Sequence, residues 1–320
     1  MTKIKSGGSG KWHRFACYMQ RYWALYAMML LPMMFFLIFR YWPMIYMQIA
    51  FRQNNIIMSI WEVPWANNWG AFPAMANFER AINHPPFMNA FRNTIRFSIL
   101  DIAAGFPAPI ILALLLNELK FRRFKRVTQT ISYMPHFLSW IIISGLAVQL
   151  FAPEQGTVNV MLHNWFGIEP IPFLNQDTPW IATVVGLGVW RSVGWNTIIY
   201  LAAITTVNPE LYEAADMDGA SRIRKMWHVT LPGIRPVIII LLILALGGVM
   251  SADFDRFIAL RNPLVSEVSD VLPLYIFQWG IRQYQFAMAT AAGLIQNIIN
   301  LFLLLGANFI VKKLGGDGLW

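Results

Sequence analysis

Six long apolar stretches, separated by polar, basic or proline-rich connections, set the pattern of this chain. Each is long enough to cross about 30 Å of hydrocarbon as an α-helix that rises about 1.5 Å per residue. The pattern predicts an all-α, polytopic membrane protein with a transmembrane domain over 23–311, an N-terminal tail over 1–22 and a C-terminal tail over 312–320. The six predicted transmembrane helices cover residues 23–49, 90–117, 127–151, 180–205, 236–255 and 286–311.

The composition supports a membrane protein. Of the 320 residues, 57% are hydrophobic and only 13% are charged. Soluble proteins average about 45–50% apolar and about 25% charged residues, so this chain has too few charges to cover the surface of a soluble domain. This argues against an ordinary soluble enzyme. The single cysteine argues against an internal disulfide or a cysteine zinc cluster.

The distribution of lysine and arginine predicts the orientation. Most of the 25 basic residues lie in the two tails and in the second-to-third and fourth-to-fifth connections, which share one side if there are six spans. Basic loops stay in the cytoplasm, so both termini are predicted to be cytoplasmic. The net charge of +9 then reflects these loops, and no nucleic-acid partner is expected.

Prolines and glycines interrupt the second and fourth predicted spans, and Arg40 and Pro43 interrupt the first. Pro107 and Pro109 must kink or unwind the second span, because each removes a backbone donor. Gly186, Gly188 and Gly194 lie in the fourth span. Such residues are tolerated where a helix packs closely or lines a cavity.

The connection over 208–235 has the local signals of a helix–turn–helix. Asn208 can cap a helix with Pro209 at its first position, and Gly219 permits the bend that ends it. A second short helix is expected to stop before Pro232. The residues alone leave two interpretations open, a surface that docks a partner and a solvated connection.

The same segment resembles the EAA motif of ABC-importer permeases. Glu213-Ala214-Ala215 is followed after three residues by Gly219 and after nine more by Val229-Thr230-Leu231-Pro232. Val229 in place of isoleucine is the single departure from E-A-A-x3-G-x9-I-x-L-P. Trp195, the run Tyr200–Ala203 and Asn117-Glu118 are similar to the carbohydrate-uptake branch, to which the maltose-type permeases belong.

This resemblance implies a MetI-like permease fold in the bacterial cytoplasmic membrane and an obligate complex. The implied partners are a second permease subunit, usually a different chain, an ATPase dimer that holds ATP and Mg²⁺, and an extracytoplasmic solute-binding protein. The implied cargo is an oligosaccharide or polysaccharide, with alginate among the candidates. The residues implied to couple this chain to the ATPase are Glu213, Ala214, Ala215, Asp218, Gly219, Leu231 and Pro232.

The sequence shows no constellation of its own for catalysis. It contains no P-loop, and its five histidines lack metal-ligand spacing. Asp253 and Asp255 would not face each other on a helix, so they do not suggest an acid–base pair. We expect no catalytic residue, cofactor or metal in this chain.

Polar side chains within the spans are candidates for a solute path. Aromatic faces and amides suit a saccharide, but hydrogen bonds between helices are an equally good explanation for the amides. The path candidates are Trp190, Arg191, Trp195 and Asn196 in the fourth span and Gln296, Asn297 and Asn300 in the sixth.

Four arginines raise the question of an anionic cargo. A guanidinium binds a carboxylate through two parallel hydrogen bonds and so suits uronate sugars. The alternative is that these arginines pair with nearby acids or dock the binding protein. The arginines are Arg191, Arg256, Arg261 and Arg282, and the nearby acids are Asp253, Asp255, Glu267 and Asp270.

Two other classes of membrane protein remain as alternatives. A stand-alone secondary transporter usually carries paired relay carboxylates in its spans, whereas Asp101 and Glu118 show no such pairing in the sequence. An integral membrane enzyme is disfavoured by the missing catalytic groups.

Overall fold

The computed structural model describes residues 9–51, 75–313 and 318–319, and it contains helices and no strands across these residues. The first helix, α1 (Ser9–Phe36), continues through wider and tighter turns to Phe51. The other helices up to the fourth predicted span are α2 (Ala76–Ile82), α3 (Pro85–Gly105), α4 (Pro107–Glu118), α5 (Arg122–Tyr133), α6 (Trp140–Phe151), α7 (Thr157–Phe166) and α8 (Asp177–Ile204).

The second half of the chain is also built from helices. Helices α9 (Pro209–Met217) and α10 (Arg222–Gly233) form the connection that leads to α11 (Arg235–Gly247). Short helices, among them α12 (Phe254–Leu260) and α13 (Leu272–Phe277), then precede the last long helix, α14 (Phe286–Lys313).

Three of the described helices are long and apolar enough to cross a membrane, or up to five spans if each of two bent helix pairs counts as one. The three are Tyr18–Phe51, Pro85–Glu118 and Phe286–Lys313. The fourth predicted span coincides with α8, a continuous helix of 28 residues. Arg191 and Asn196 are polar residues within α8.

The expected break in the second span is present at Phe106, where α3 ends and α4 begins. Pro107 and Pro109 fall in the first turn of α4, where a missing N–H costs no hydrogen bond within the helix. The two helices therefore continue as one apolar span of 34 residues.

The third predicted span, 127–151, is wrong as a single helix. The segment Arg122–Phe137 meets α6 at an angle of 105°. Pro135 lies in a short 3₁₀ turn, Leu138 is extended, and Ser139 caps α6 by accepting a hydrogen bond from the Ile142 N–H. The missing donor and the new cap together turn the chain, so that α5, with its basic residues, and the apolar α6 are separate elements.

The fifth predicted span, 236–255, is too long at its outer end. The helix α11 ends at Gly247, and a turn follows over residues 248–250. Asp253 is the N-cap of α12 and accepts a hydrogen bond from the Arg256 N–H. The first half of the predicted tail 1–22 lies largely outside the described residues, and α1 already begins at Ser9.

Two buried clusters hold the bundle around α8. At one end Phe97, Trp180 and Phe257 form an aromatic group, and the Trp180 indole donates to the Leu260 carbonyl. At the other end, Ala113 of α4 packs with Tyr200 of α8 and its neighbours. A Cβ on Gly194 would lie 2.0 Å from the Ser132 carbonyl oxygen, so only glycine permits this crossing of α8 and α5.

Candidate functional site

The connection over Asn208–Gly233, called the coupling loop here, forms the expected helix–turn–helix. Asn208 accepts a hydrogen bond from the Glu210 N–H at 3.1 Å and caps α9, with Pro209 in its first turn. After α9 ends at Met217, Gly219 takes the left-handed conformation with φ of 69°. Ser221 then caps α10. The local signals in the sequence are confirmed.

The second helix of the coupling loop does not stop before Pro232, contrary to the prediction. It runs through Pro232 to Gly233, because the preceding turn over Met226–Thr230 is a π-turn. The Leu231 N–H bonds to the Met226 carbonyl, five residues earlier. This wider turn accommodates a proline whose ring would clash with a regular α-helical turn.

The coupling loop is tied to the ends of the long helices. The Tyr212 hydroxyl donates to the Thr230 hydroxyl at 3.0 Å, and Thr230 is buried. Tyr212 and Val229 pack on a cluster that contains Ile204 of α8 and Ile234 before α11. The loop is therefore packed directly against the ends of α8 and α11.

The opposite face of the coupling loop is exposed. Glu213, Ala214, Asp218 and Gly219 are all exposed, and Met217 is 89% exposed. Glu213 and Asp218 form no ion pair within the described residues, whereas Asp216 binds Lys225 at 2.6 Å across the two helices. Exposed apolar side chains rimmed by charges are typical of an interaction surface. Ile223 and Trp227 of α10 are also exposed.

A polar cavity of about 310 Å³, called the membrane cavity here, lies between the long helices. It brings together side chains from the second, third, fourth and fifth predicted spans and from α12. Its polar and aromatic lining consists of Asp101, Phe106, Trp140, Arg191, Ser192, Asn196, Asp253 and Arg256.

The buried Arg256 pairs with Asp101, not with the acids close to it in sequence. Its two terminal nitrogens bind the two carboxylate oxygens at 3.0 and 2.5 Å, and the arginine is only 5% exposed. Gly188 leaves the space, since a Cβ there would lie 2.5 Å from a guanidinium nitrogen. Arg256 is therefore neutralised, and the pair fixes α12 against α3 and α8.

Arg191 has more freedom than Arg256. Its Nε donates to the Leu138 carbonyl at 3.2 Å, and its guanidinium carbon lies 5.0 Å from the Trp140 ring centre. It forms no ion pair within residues 75–313. The Trp140 indole donates to Asp253 at 2.6 Å, which holds the aromatic face in place. Arg191 thus offers N–H groups to a molecule in the membrane cavity.

The other path candidates are dispersed. Asn196 lines the membrane cavity with Arg191, whereas Trp190 faces a separate, mostly apolar cavity. Trp195 stacks on His136 with ring centres 4.5 Å apart. Gln296 and Asn297 line a third cavity. Asn300 accepts from the Met250 N–H and donates to Ser251, so it holds the turn after α11.

The sequence did not indicate that Asp101, Trp140 and Asp253 line one cavity. Asp101 and Arg256 are ionisable residues close to predicted spans, and such residues are expected to pair inside a bundle. The presence of these two charges near predicted spans was therefore the sequence signal for the Asp101–Arg256 contact. Within the described ranges, no three histidine, cysteine or acidic side chains are placed to hold a metal ion.

The remaining candidate arginines lie at the far end of α11 from the coupling loop. Arg261 pairs with Asp270 at 3.3 Å, as the alternative reading of the sequence expected. Burial raises the pKa of the Asp270 carboxyl, and the Arg261 charge partly offsets this. Arg282 lies with its guanidinium carbon 5.4 Å from the centre of the Phe277 ring.

Comparison with known families and proteins gives consistent matches. Residues 105–315 match the family described as binding-protein-dependent transport system inner membrane component. A Bacillus subtilis (strain 168) protein described as a polygalacturonan/rhamnogalacturonan transport system permease, YteP, is 39% identical over 92% of this chain and 90% of its own length. Protein LplB of the same organism is 38% identical over 92% of this chain and 91% of its own length.

Two solved structures have the same fold. One is a bacterial ABC transporter involved in the import of the acidic polysaccharide alginate, with a TM-score of 0.83 and 36% identity over 94% of this chain and 99% of that chain. The other is a bacterial alginate ABC transporter in complex with a periplasmic protein bound to an alginate pentasaccharide. It has a TM-score of 0.85 and 35% identity over 96% of this chain and 100% of that chain.

Proposed function

This chain belongs to the family of binding-protein-dependent transport system inner membrane components, and on that premise we propose that it carries acidic oligosaccharides or polysaccharides across the membrane. The chain is the permease subunit of a sugar ABC importer. The observation that carries the coupling mechanism is the helix–turn–helix of the coupling loop, which is bonded to the helix bundle on one face and exposed on the other.

The coupling loop gives the chain its part in the transport cycle. The exposed face, with Glu213, Ala214 and Gly219, docks on a partner ATPase. The small Ala214 side chain allows close approach, and Glu213 offers a charge to a lysine or arginine. Movement of the docked ATPase shifts the Tyr212–Thr230 contact and with it the ends of α8 and α11.

This chain itself performs no chemistry under the proposal. The partner ATPase holds ATP and Mg²⁺, and this chain binds no cofactor. A second permease subunit, which we take to be a different chain, completes the pore, and a periplasmic solute-binding protein delivers the cargo. The exposed apolar side chains of α1 face lipid or that second subunit.

Two observations support an acidic cargo. Relatives and structural neighbours are described as transporting polygalacturonan, rhamnogalacturonan or alginate. In this chain Arg191 presents a guanidinium in the membrane cavity that forms no ion pair with a described acid. A guanidinium pairs with a carboxylate through charge-assisted hydrogen bonds, so Arg191 favours a uronate over a neutral sugar.

Replacing Arg191 with glutamine tests the cargo. We expect uptake of trigalacturonate into vesicles that contain the whole importer to fall about tenfold, while uptake of the neutral galactotriose changes little, because only the first loses a charged partner. The difference should be largest at low salt. Arg92→Gln, at an exposed position of α3, removes the same charge outside the membrane cavity and serves as the control. Equal losses for both sugars would make Arg191 structural and remove this support.

We also propose that both termini and the coupling loop face the cytoplasm. In a Cys17→Ser background, an impermeant maleimide added outside whole cells should label Gln155→Cys and should leave Arg222→Cys unlabelled. Both positions are exposed, so accessibility within the fold does not bias the comparison. Labelling of Arg222→Cys alone would reverse the orientation.

A stand-alone secondary transporter is not favoured by any contact in the membrane cavity. Asp101, the intramembrane carboxylate that such a mechanism would need, is engaged by both terminal nitrogens of Arg256.

A further inference from the structure

A second polar cavity, called the outer cavity here, lies at the end of α11 opposite the coupling loop. It has a volume of about 590 Å³ and separates α12 from α13 and the turn that follows α13. Its volume is in the range of sites for small molecules, about 300–1,000 Å³. Its polar lining consists of Arg261, Asn262, Ser266, Gln278, Arg282 and Gln283, with no acidic residue among the described lining residues.

The outer cavity contains hydrogen-bond donors that the described residues do not satisfy. The Gln278 amide nitrogen is shielded from solvent and has no partner among them. Arg282 forms no ion pair in the described part of the chain. A buried donor without a partner costs free energy that a ligand oxygen can recover.

The other polar side chains described below form part of the wall of the outer cavity. Asn262 is fully used, since it accepts from the Leu264 N–H and donates to the Leu174 carbonyl. Arg261 shares its charge with Asp270, which lies outside the lining. Among the lining residues and their ion-pair partners, the charges are two guanidinium groups and one carboxylate, so the excess is positive.

The backbone places the Gln278 and Arg282 side chains on the same side of the turn that carries them. Residues Gln278–Arg282 form a π-turn, in which side chains four positions apart stand nearly above one another. Tyr284, two residues later, has a φ of 56°, which is uncommon for a residue other than glycine. Wide turns and left-handed residues of this kind are concentrated at functional sites.

We propose that the outer cavity binds a uronate unit of the saccharide cargo before that unit reaches the membrane cavity. Arg282 receives the carboxylate, the Gln278 amide donates to a carboxylate or hydroxyl oxygen, and Arg261 adds to the positive potential. The proposal rests on the acidic cargo proposed above and assigns the first contact of that cargo to this part of the chain. Metal cations are disfavoured in the outer cavity because its charge is positive.

The test compares Arg282→Gln with the exposed Arg92→Gln control in vesicles that contain the whole importer and its binding protein. For Arg282→Gln we expect the KM for trigalacturonate to rise about tenfold and the KM for galactotriose to stay unchanged. Arg282→Lys, which keeps the charge but not the two-bond geometry, should recover part of the loss. Gln278→Glu should repel the same ligand and raise its KM to a similar extent.

Four outcomes separate the possibilities. A selective rise in KM for the acidic sugar supports the proposal. An unchanged KM overturns it. An equal loss for both sugars that is relieved by more binding protein overturns it too, because the outer cavity would then dock that protein. If the unmodified importer takes up no acidic sugar, the proposed cargo is wrong, whatever Arg282 does.

Discussion

Replacing Gly219 with valine is expected to lower transport about tenfold or more while the chain still inserts in the membrane. Gly219 has φ of 69° at the turn between α9 and α10. A β-branched residue resists this conformation, and the left-handed region costs an ordinary residue about 1–2 kcal/mol or more. No described atom lies within 4 Å of a Cβ built on Gly219, so the effect comes from the backbone and not from a clash.

The matched control for this variant is Gly219→Asn, because asparagine tolerates positive φ. It should keep most of the transport, whereas Gly219→Val should lose about tenfold or more. The measurement is ATP-dependent uptake together with the amount of ATPase that copurifies. Glu213→Lys, at an exposed position on the same face, should weaken ATPase association by placing a like charge opposite a basic partner. Normal uptake and normal ATPase recovery in Gly219→Val and Glu213→Lys would refute the docking role.

Breaking the Asp101–Arg256 pair is expected to destabilise the bundle strongly. Asp101→Leu leaves the buried Arg256 charge unpaired, and such a change costs about 3–5 kcal/mol. Arg256→Met should cost less, because the Asp101 side chain that it leaves unpaired is 34% exposed. Arg256 is buried and bonded through both terminal nitrogens, so solvent cannot replace the lost partner. The expected result is a clear fall in the thermal unfolding temperature of the detergent-solubilised protein.

The double variant Asp101→Leu/Arg256→Met distinguishes a structural pair from two independent effects. Replacing both charges with apolar side chains removes the unpaired group, and such replacements are often close to neutral. We expect the double variant to recover most of the stability lost in either single variant. A double variant whose loss equals the sum of the two single losses would contradict the pairing.

The coupling loop was predictable because its signals are local. Asn208, Pro209, Gly219 and Ser221 each act on the backbone within a few residues, and the structure has the caps and the turn at these positions. The passage of α10 through Pro232 was not predictable in this way. It depends on a π-turn that no single residue type specifies.

The bends and charge pairs were harder to predict because they depend on distant parts of the chain. The predicted span 127–151 joined the last residues of α5 to the apolar α6, although Pro135 and Ser139 mark the turn between them. Arg256 and Asp101 are 155 residues apart in sequence. The sequence shows that both are charged near the membrane, but only the packing of α3 against α8 and α12 brings them together.

The residues that line the membrane cavity were hard to predict for the same reason. Arg191 and Asn196 share a helix, so periodicity alone relates them, whereas Trp140 and Asp253 come from elements whose positions were misjudged. The amides of the last helix point to different surroundings, since Gln296 lines a cavity and Asn300 holds a turn. Helical spacing relates side chains on one helix but does not show which cavity each one reaches.

The most direct test of the account is cross-linking of the coupling loop to the partner ATPase in membranes. In a Cys17→Ser background, a cysteine at Met217, the most exposed large hydrophobic residue of the loop, should cross-link to the ATPase through a short bis-maleimide, and ATP should change the yield. A cysteine at Leu264, exposed at the opposite end of α11, should not cross-link to it. Cross-linking from Leu264→Cys but not from Met217→Cys would contradict the coupling role of this loop.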